Sequence, residues 1–141
     1  MSDPRMLELV AADSIPYWRM LGITVDSAER GRVRLRLDMR EDLGTLRAEV
    51  MHGGAIGSLV DAAAGAATST LREADDDTWS GQATTDMNVS FLNAATGTVF
   101  GEGRVIRSSR TLSFVAVEVV DEAGEPVAIG RATYMIIRRR T

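Results

Sequence analysis

One acidic residue stands where charge is least expected. In the stretch HGGAIGSLVDAAAGAATSTL, Asp61 is the only charged residue after His52, flanked by Leu59, Val60 and the run Ala62 to Ala64. An unpaired carboxylate in apolar surroundings is costly, so its presence calls for partners or a task. Ser58, Asp61, Gly65 and Thr68 recur at helical spacings of three and four, which places them on one narrow polar stripe. Upstream, His52-Gly53-Gly54 stands where such a helix would begin. Helix N-termini carry free N–H groups and a partial positive charge, and glycines let another group come close to the backbone. Free amides together with a carboxylate can hold a developing oxyanion and activate water or attack directly, which is acyl-transfer chemistry. The plainer reading of Asp61 is a carboxylate that braces a loop, and of the glycines a helix start.

Composition narrows the alternatives. The 141 residues suit one domain, 1–141, with an N-terminal helical segment over 1–20. With 45% hydrophobic and 26% charged residues the chain can build a core and stay in solution, and a net charge of -4 argues against coating nucleic acid. Aromatic content of 5%, without basic–aromatic interleaving, points the same way. There is no cysteine, hence no disulfide or thiolate chemistry, which fits a reducing, cytoplasmic location. His52 is the only histidine, so no multi-histidine metal site is expected. Neither a secretory signal nor a membrane-spanning run is visible, and no membrane partner is expected.

The elements that must position Asp61 follow from periodicity. Apolar residues up to Met20 fall at helical spacing, giving one or two short helices, the second capped by Asp13 or Ser14 with Pro16 in its first turn. Ile23 to Ala28 reads as a strand. Arg32, Arg34 and Arg36 alternate with Val33, Leu35 and Leu37, a half-buried strand with a solvated arginine face. After a polar loop near 40–51, the small and apolar run from His52 reads as a tightly enclosed central helix. Glu73 to Gly81 reads as an acidic loop. Ala83–Phe91, Thr98–Arg107, Thr111–Val120 and Val127–Ile137 read as a β-meander. In the first of these, Met87, Val89 and Phe91 share one face and Thr84, Asp86, Asn88 and Ser90 the other. Arg138 to Arg140 reads as a solvated tail. The expected class is α+β, an antiparallel sheet wrapped around one long helix. Strands apolar on both faces, such as Val115 to Val117 and Tyr134 to Ile137, call for a second copy to cover them.

The string HGGAIGSLVDAAAG resembles the signature of the PaaI-like branch of the 4-hydroxybenzoyl-CoA thioesterase superfamily, in which an aspartate follows the histidine of HGG by nine positions. TTDMNVSFLNAATG, GEGRVIRSSRTLSFVAVEVVDEAGEPVA and GRATYMII resemble that family's closing strands, so the likeness runs over about residues 20–138. It implies a hotdog fold, active sites at a homodimer interface, often a homotetramer, and an acyl-CoA substrate. No cofactor is implied, coenzyme A entering only as part of the substrate. By resemblance Asp61 is nucleophile or general base, the Gly53 amide polarises the thioester carbonyl, His52 orients the thioester or supports the loop, and Thr84 positions water. Gly54 and Ser58 would contact substrate, and Arg107 and Arg110, around the Ser108-Ser109 turn, would meet the CoA phosphates unless they are ordinary exposed hairpin residues. The family often has Asn six residues before the histidine and Gly three before it, where this chain has Leu46 and Glu49. Glu49 or Arg47 could substitute for the Asn or be solvated. Two other functions fit the same outline. One is a non-catalytic acyl-CoA or small-ligand binding protein. The other is an enoyl-thioester hydratase, against which counts the absence of any histidine after Asp61. Ile56, Leu59 and Val60 are expected to line the acyl site.

Overall fold

The computed structural model describes residues 2–140. Two short helices, α1 (Pro4–Val10) and α2 (Pro16–Leu21), lead into strands β1 (Thr24–Glu29) and β2 (Arg32–Leu37). The long helix α3 (Gly53–Ser69) follows, then β3 (Trp79–Phe91), β4 (Val99–Ser108), β5 (Leu112–Asp121) and β6 (Pro126–Arg138). All strand pairs are antiparallel, in the order β1-β2-β4-β5-β6-β3, and α3 lies against one face of this sheet. This is the hotdog arrangement. Among the described residues no helix is long and apolar enough to cross a membrane.

Helix α3 forms because alanine favours helix and because the sheet encloses it. Leu59 and Val60 are 0% exposed, and burying each such side chain contributes about 1.5–3 kcal/mol. They belong to the core and line no cleft; of the three residues expected at the acyl site only Ile56 borders one, with Gly53 and Phe91. The helix can lie this close because β4 carries glycine beneath it: a Cβ at Gly103 would stand 2.4 Å from the Ala63 carbonyl oxygen.

The meander is incomplete. β4, β5 and β6 are sequential neighbours, but β3 crosses to the far side of β6 and forms an edge. Both sides of β4 are already occupied by β2 and β5, so no place is left for β3 beside it. β3 also begins at Trp79, earlier than the alternation suggests, taking up the end of the acidic loop. It is 13 residues long and exposed along most of its length. The cap of α2 is Ile15, which makes no side-chain cap bond; Asp13 and Ser14 sit in a 3-10 turn before it, and Pro16 opens the helix as expected.

Two expectations about arginine diverge. The stripe on β2 is solvated and self-neutralised, with Arg32 to Glu102 at 2.6 Å, Arg34 to Asp26 at 3.2 Å and Arg36 to Asp38 at 2.8 Å. Arg138 is no tail. It closes β6, pairs with Asp76, lies 3.1 Å from Thr78 Oγ1 and stacks over the Trp79 ring at 5.1 Å.

Candidate active site

Asp61 stands at the middle of α3, half-buried. Its Oδ1 accepts two hydrogen bonds, from Thr84 Oγ1 at 2.6 Å and from Tyr134 Oη at 2.8 Å. The Tyr134 proton is shared with the Asp61 carbonyl oxygen, 3.0 Å away. Among the described residues no group bonds Oδ2, so one carboxylate oxygen is fixed while the other stays available. Burial above all, and then the neighbouring carboxylate, push the Tyr134 phenol above its ordinary range, so it remains a donor.

Thr84 reaches Asp61 because β3 is irregular. The pairing with β6 shifts between Thr84 and Asp86, so Thr84 faces the helix together with Met87 while Asp86 faces away. Strict alternation had put Thr84 on the side of Asp86. Bulges next to active sites re-aim side chains in this way.

The sequence alone gives Tyr134 no role, because Tyr134 to Ile137 reads as apolar on both faces. Its signal is Gly65, one helical turn past Asp61. A Cβ there would stand 2.7 Å from Tyr134 Oη, so glycine is the space the hydroxyl occupies. Gly65 therefore faces Tyr134 and lines the smaller space that Asp61 also borders, not the open cleft. Thr68 turns into the core, 0% exposed and 3.0 Å from Ser113 Oγ. The polar stripe that opens to solvent is Gly54, Gly57, Ser58 and Asp61, lining a cleft of about 390 Å³ with Tyr17, Thr84 and Met87. Ser58 donates to the Gly54 carbonyl at 2.8 Å and lies 2.8 Å from Tyr17 Oη, a second contact that sequence did not suggest.

At the head of α3, His52 is the N-cap, and its Nδ1 accepts from the Gly54 amide at 2.7 Å. Ala55 N–H is taken by the His52 carbonyl. Among the described residues the Gly53 N–H has no acceptor, and it is the first free amide of the helix. The eight steps along the helix from Gly53 to Asp61 span about 12 Å at 1.5 Å per residue, too far for both to touch one carbonyl group. The two residues also border different spaces, Gly53 beside Phe91 and Leu92, Asp61 beside Thr84 and Tyr134. A single chain therefore does not join the amide and the carboxylate.

The remaining candidates lie apart from Asp61. Arg107 is on the opposite sheet face, in a cleft with Asp86, Phe114 and Arg131, and Arg110 is in the turn before β5. Both are exposed and, among the described residues, unpaired by carboxylates. Leu46, Arg47 and Glu49 are exposed in the loop before α3 and line neither cleft at Asp61. No group of three or more His, Asp or Glu among the described residues is placed to hold a metal ion.

A family model described as the thioesterase superfamily matches residues 48–128, which include the whole of α3 with His52, Gly53 and Asp61. The chain belongs to the thioesterase superfamily. Within the superfamily it is 34% identical to a Halobacterium salinarum protein provisionally named an esterase, over 84% of this chain and 82% of that protein. A solved thioesterase family protein from Silicibacter pomeroyi superposes with a TM-score of 0.85 at 24% identity, covering 95% of this chain and 99% of that one. The E. coli PaaI protein from the phenylacetic acid degradation operon superposes at 0.81 with 17% identity, covering 94% and 92%. These last two share the fold of this thioesterase-superfamily chain.

Proposed function

We propose that this protein hydrolyses an acyl-CoA thioester to the free acid and CoA, with Asp61 as the reacting carboxylate. The observation that carries the reading is the asymmetry of Asp61. Two hydroxyls hold Oδ1 while Oδ2 has no partner among the described residues, on a helix face that opens to a cleft. As a general base, Oδ2 takes a proton from water as the water oxygen bonds to the carbonyl carbon. Charge moves onto the carbonyl oxygen, collapse breaks the C–S bond, and the thiolate recovers the proton. As a nucleophile, Oδ2 itself bonds to the carbonyl carbon, expelling the thiolate, and water then hydrolyses the anhydride. Thr84 and Tyr134 serve both routes by fixing the carboxylate.

The oxyanion requires a donor, and the free Gly53 amide at the positive end of α3 suits that role. His52 acts by capping the helix and leaving that amide unbonded. Since about 12 Å separates the two groups along the helix, the amide that serves one Asp61 is supplied by a second copy. The working unit is then a homodimer joined through β3. Two features support this pairing: the long exposed edge of β3, an available template for another strand, and Gly57, where an added Cβ would meet nothing within 4 Å although glycine weakens a helix. Gly54 and Ser58 line the cleft that the thioester would enter. Ile106, Phe114, Ile129 and Met135, 40–61% exposed on the outer sheet face, suit a further pairing into a tetramer. Arg107 and Arg110 are among the unpaired cations that CoA phosphates could meet.

The test is release of CoA thiol from acyl-CoAs. Turnover that falls about 10²–10⁴-fold in Asp61→Asn supports hydrolysis at this site. Stoichiometric acyl-CoA binding without turnover would instead support a binding protein, and hydration of an enoyl-CoA a hydratase.

A further inference from the structure

Tyr17 lines the open cleft with Ser58 and Asp61, but from a different element. It belongs to α2, whose end is clamped: Arg40 donates to the carbonyl of Met20 at 2.6 Å and to that of Leu21, the last two residues of the helix. Arg19 reaches back to the Asp13 carbonyl at 2.7 Å, and Trp18 is buried. Tyr17, 51% exposed, is thus presented to the cleft by a fixed helix and not by a loose arm.

The direction of its hydrogen bond decides what the Tyr17 hydroxyl can do. Ser58 has one hydroxyl proton, and it goes to the Gly54 carbonyl at 2.8 Å, because a carbonyl only accepts. The 2.8 Å bond between Ser58 Oγ and Tyr17 Oη is therefore donated by Tyr17. Its proton stays within the protein, on the line from Tyr17 through Ser58 to Gly54. Among the described residues no other group bonds Oη, so what it offers the cleft is lone pairs. Held this way, Tyr17 cannot donate to a developing oxyanion, but it can accept from an N–H of a ligand.

We infer that Tyr17 Oη accepts a hydrogen bond from the first amide N–H of the substrate's thiol arm. Tyr17 thereby selects thioesters whose arm carries an amide two carbons from sulfur, as that of CoA does. This rests on the hydrolase reading of Asp61. The reacting carbonyl carbon comes within about 3–3.5 Å of the Asp61 carboxylate or of the water it activates. In such an arm the amide nitrogen is four bonds from that carbon, and bonds of about 1.5 Å put it about 5 Å away. Ser58, which holds Tyr17, precedes Asp61 by three residues, and side chains at that helical spacing stand about 5–6 Å apart. The two lengths match, so a thioester engaged at Asp61 lays its amide beside Tyr17. The cleft is also the wider of the two spaces that Asp61 borders, about 390 Å³ against about 160 Å³, and so the one through which a long arm leaves.

Thiol release from two synthetic thioesters of one acyl group tests the contact. One is built on N-acetylcysteamine, which carries the amide; in the other a methylene replaces the N–H. The parent is expected to favour the amide arm in kcat/KM. Tyr17→Phe should lower that preference about three- to tenfold, the loss of one neutral hydrogen bond, through KM and with kcat little changed. Ser58→Ala removes the group that holds Tyr17 but leaves an oxygen that can accept, so it should keep the preference to within about twofold. A preference unchanged in Tyr17→Phe, or lost equally in Ser58→Ala, overturns the assignment. A binding arm needs no turnover. S-ethyl-CoA, a thioether with no acyl bond to hydrolyse, is titrated calorimetrically, and its Kd is expected to rise about three- to tenfold in Tyr17→Phe. An unchanged Kd overturns the contact. A Kd that rises as expected while no acyl-CoA releases thiol overturns the hydrolase reading and leaves the contact standing.

Discussion

The Tyr134 hydroxyl occupies the space that a side chain at Gly65 would need, 2.7 Å from an ideal Cβ there. From that position it donates to Asp61 Oδ1 at 2.8 Å, alongside the Thr84 hydroxyl at 2.6 Å. The glycine, the tyrosine and the carboxylate are one device, spread over a helix and the last strand.

Removing the hydroxyl tests the device directly. Tyr134→Phe deletes a bond to a charged group, worth about 1.5–3 kcal/mol, or about ten- to a hundredfold if it is fully expressed in the rate. We expect kcat for thiol release to fall by that factor with KM little changed. A variant as fast as the parent would remove Tyr134 from the site.

Gly65→Ala approaches the same bond from the other side. Alanine favours helix by about 1 kcal/mol over glycine, so propensity alone predicts a more stable protein. The contact with Tyr134 predicts the opposite for activity: the hydroxyl is displaced and kcat falls. Combined with Tyr134→Phe, the loss should be smaller than the product of the two separate losses, because both act on one bond. Independent, multiplying effects would contradict this.

Acid stability should depend on Asp76. Thr78, followed by Arg138, holds its carboxyl well below the usual carboxylate range. The folded protein then binds this proton only at lower pH than the unfolded chain does. The resulting stability is fully present above the ordinary value of 3.8 and is lost as pH falls below it toward the folded value. Thermal melts of the parent and Asp76→Asn should show a Tm gap at neutral pH that shrinks as pH falls through this range. A gap constant with pH would contradict the assignment.

Gly53→Pro removes a single N–H with little other change. Gly53 is the first residue of α3, where proline is well tolerated, and His52 at φ -62, ψ 138 already has the backbone that precedes proline. Loss of an oxyanion donor predicts about a 10²–10³-fold fall in kcat with the fold intact by circular dichroism. Retained activity would exclude this amide.

Much of this was legible in the chain before the fold was. Asp61 is conspicuous because a charge among alanines and leucines has to be explained, and the alternation on β2 and the alanine-rich run fix the sheet and helix periods. What was hidden depends on contacts distant in sequence. Local alternation turns Thr84 away from the helix, because the bulge beside it follows from pairing with β6 and leaves no local mark. Tyr134 looked like an apolar strand residue because its polar tip has meaning only opposite Gly65. Arg138 looked like a tail because its partner, Asp76, lies 62 positions away. The crossing of β3 to the far edge follows from which strands already flank β4, which local pattern does not encode.

The central claim is that Asp61 of one copy works with the Gly53 amide of another. Co-expressing Asp61→Asn with Gly53→Pro, each inactive alone, tests it. In a shared site every mixed dimer holds one site with both groups intact, so random mixing should restore about a quarter of parental thiol release. If both groups came from the same chain, every site would lack one of them, and a mixture as inactive as its components would contradict the account.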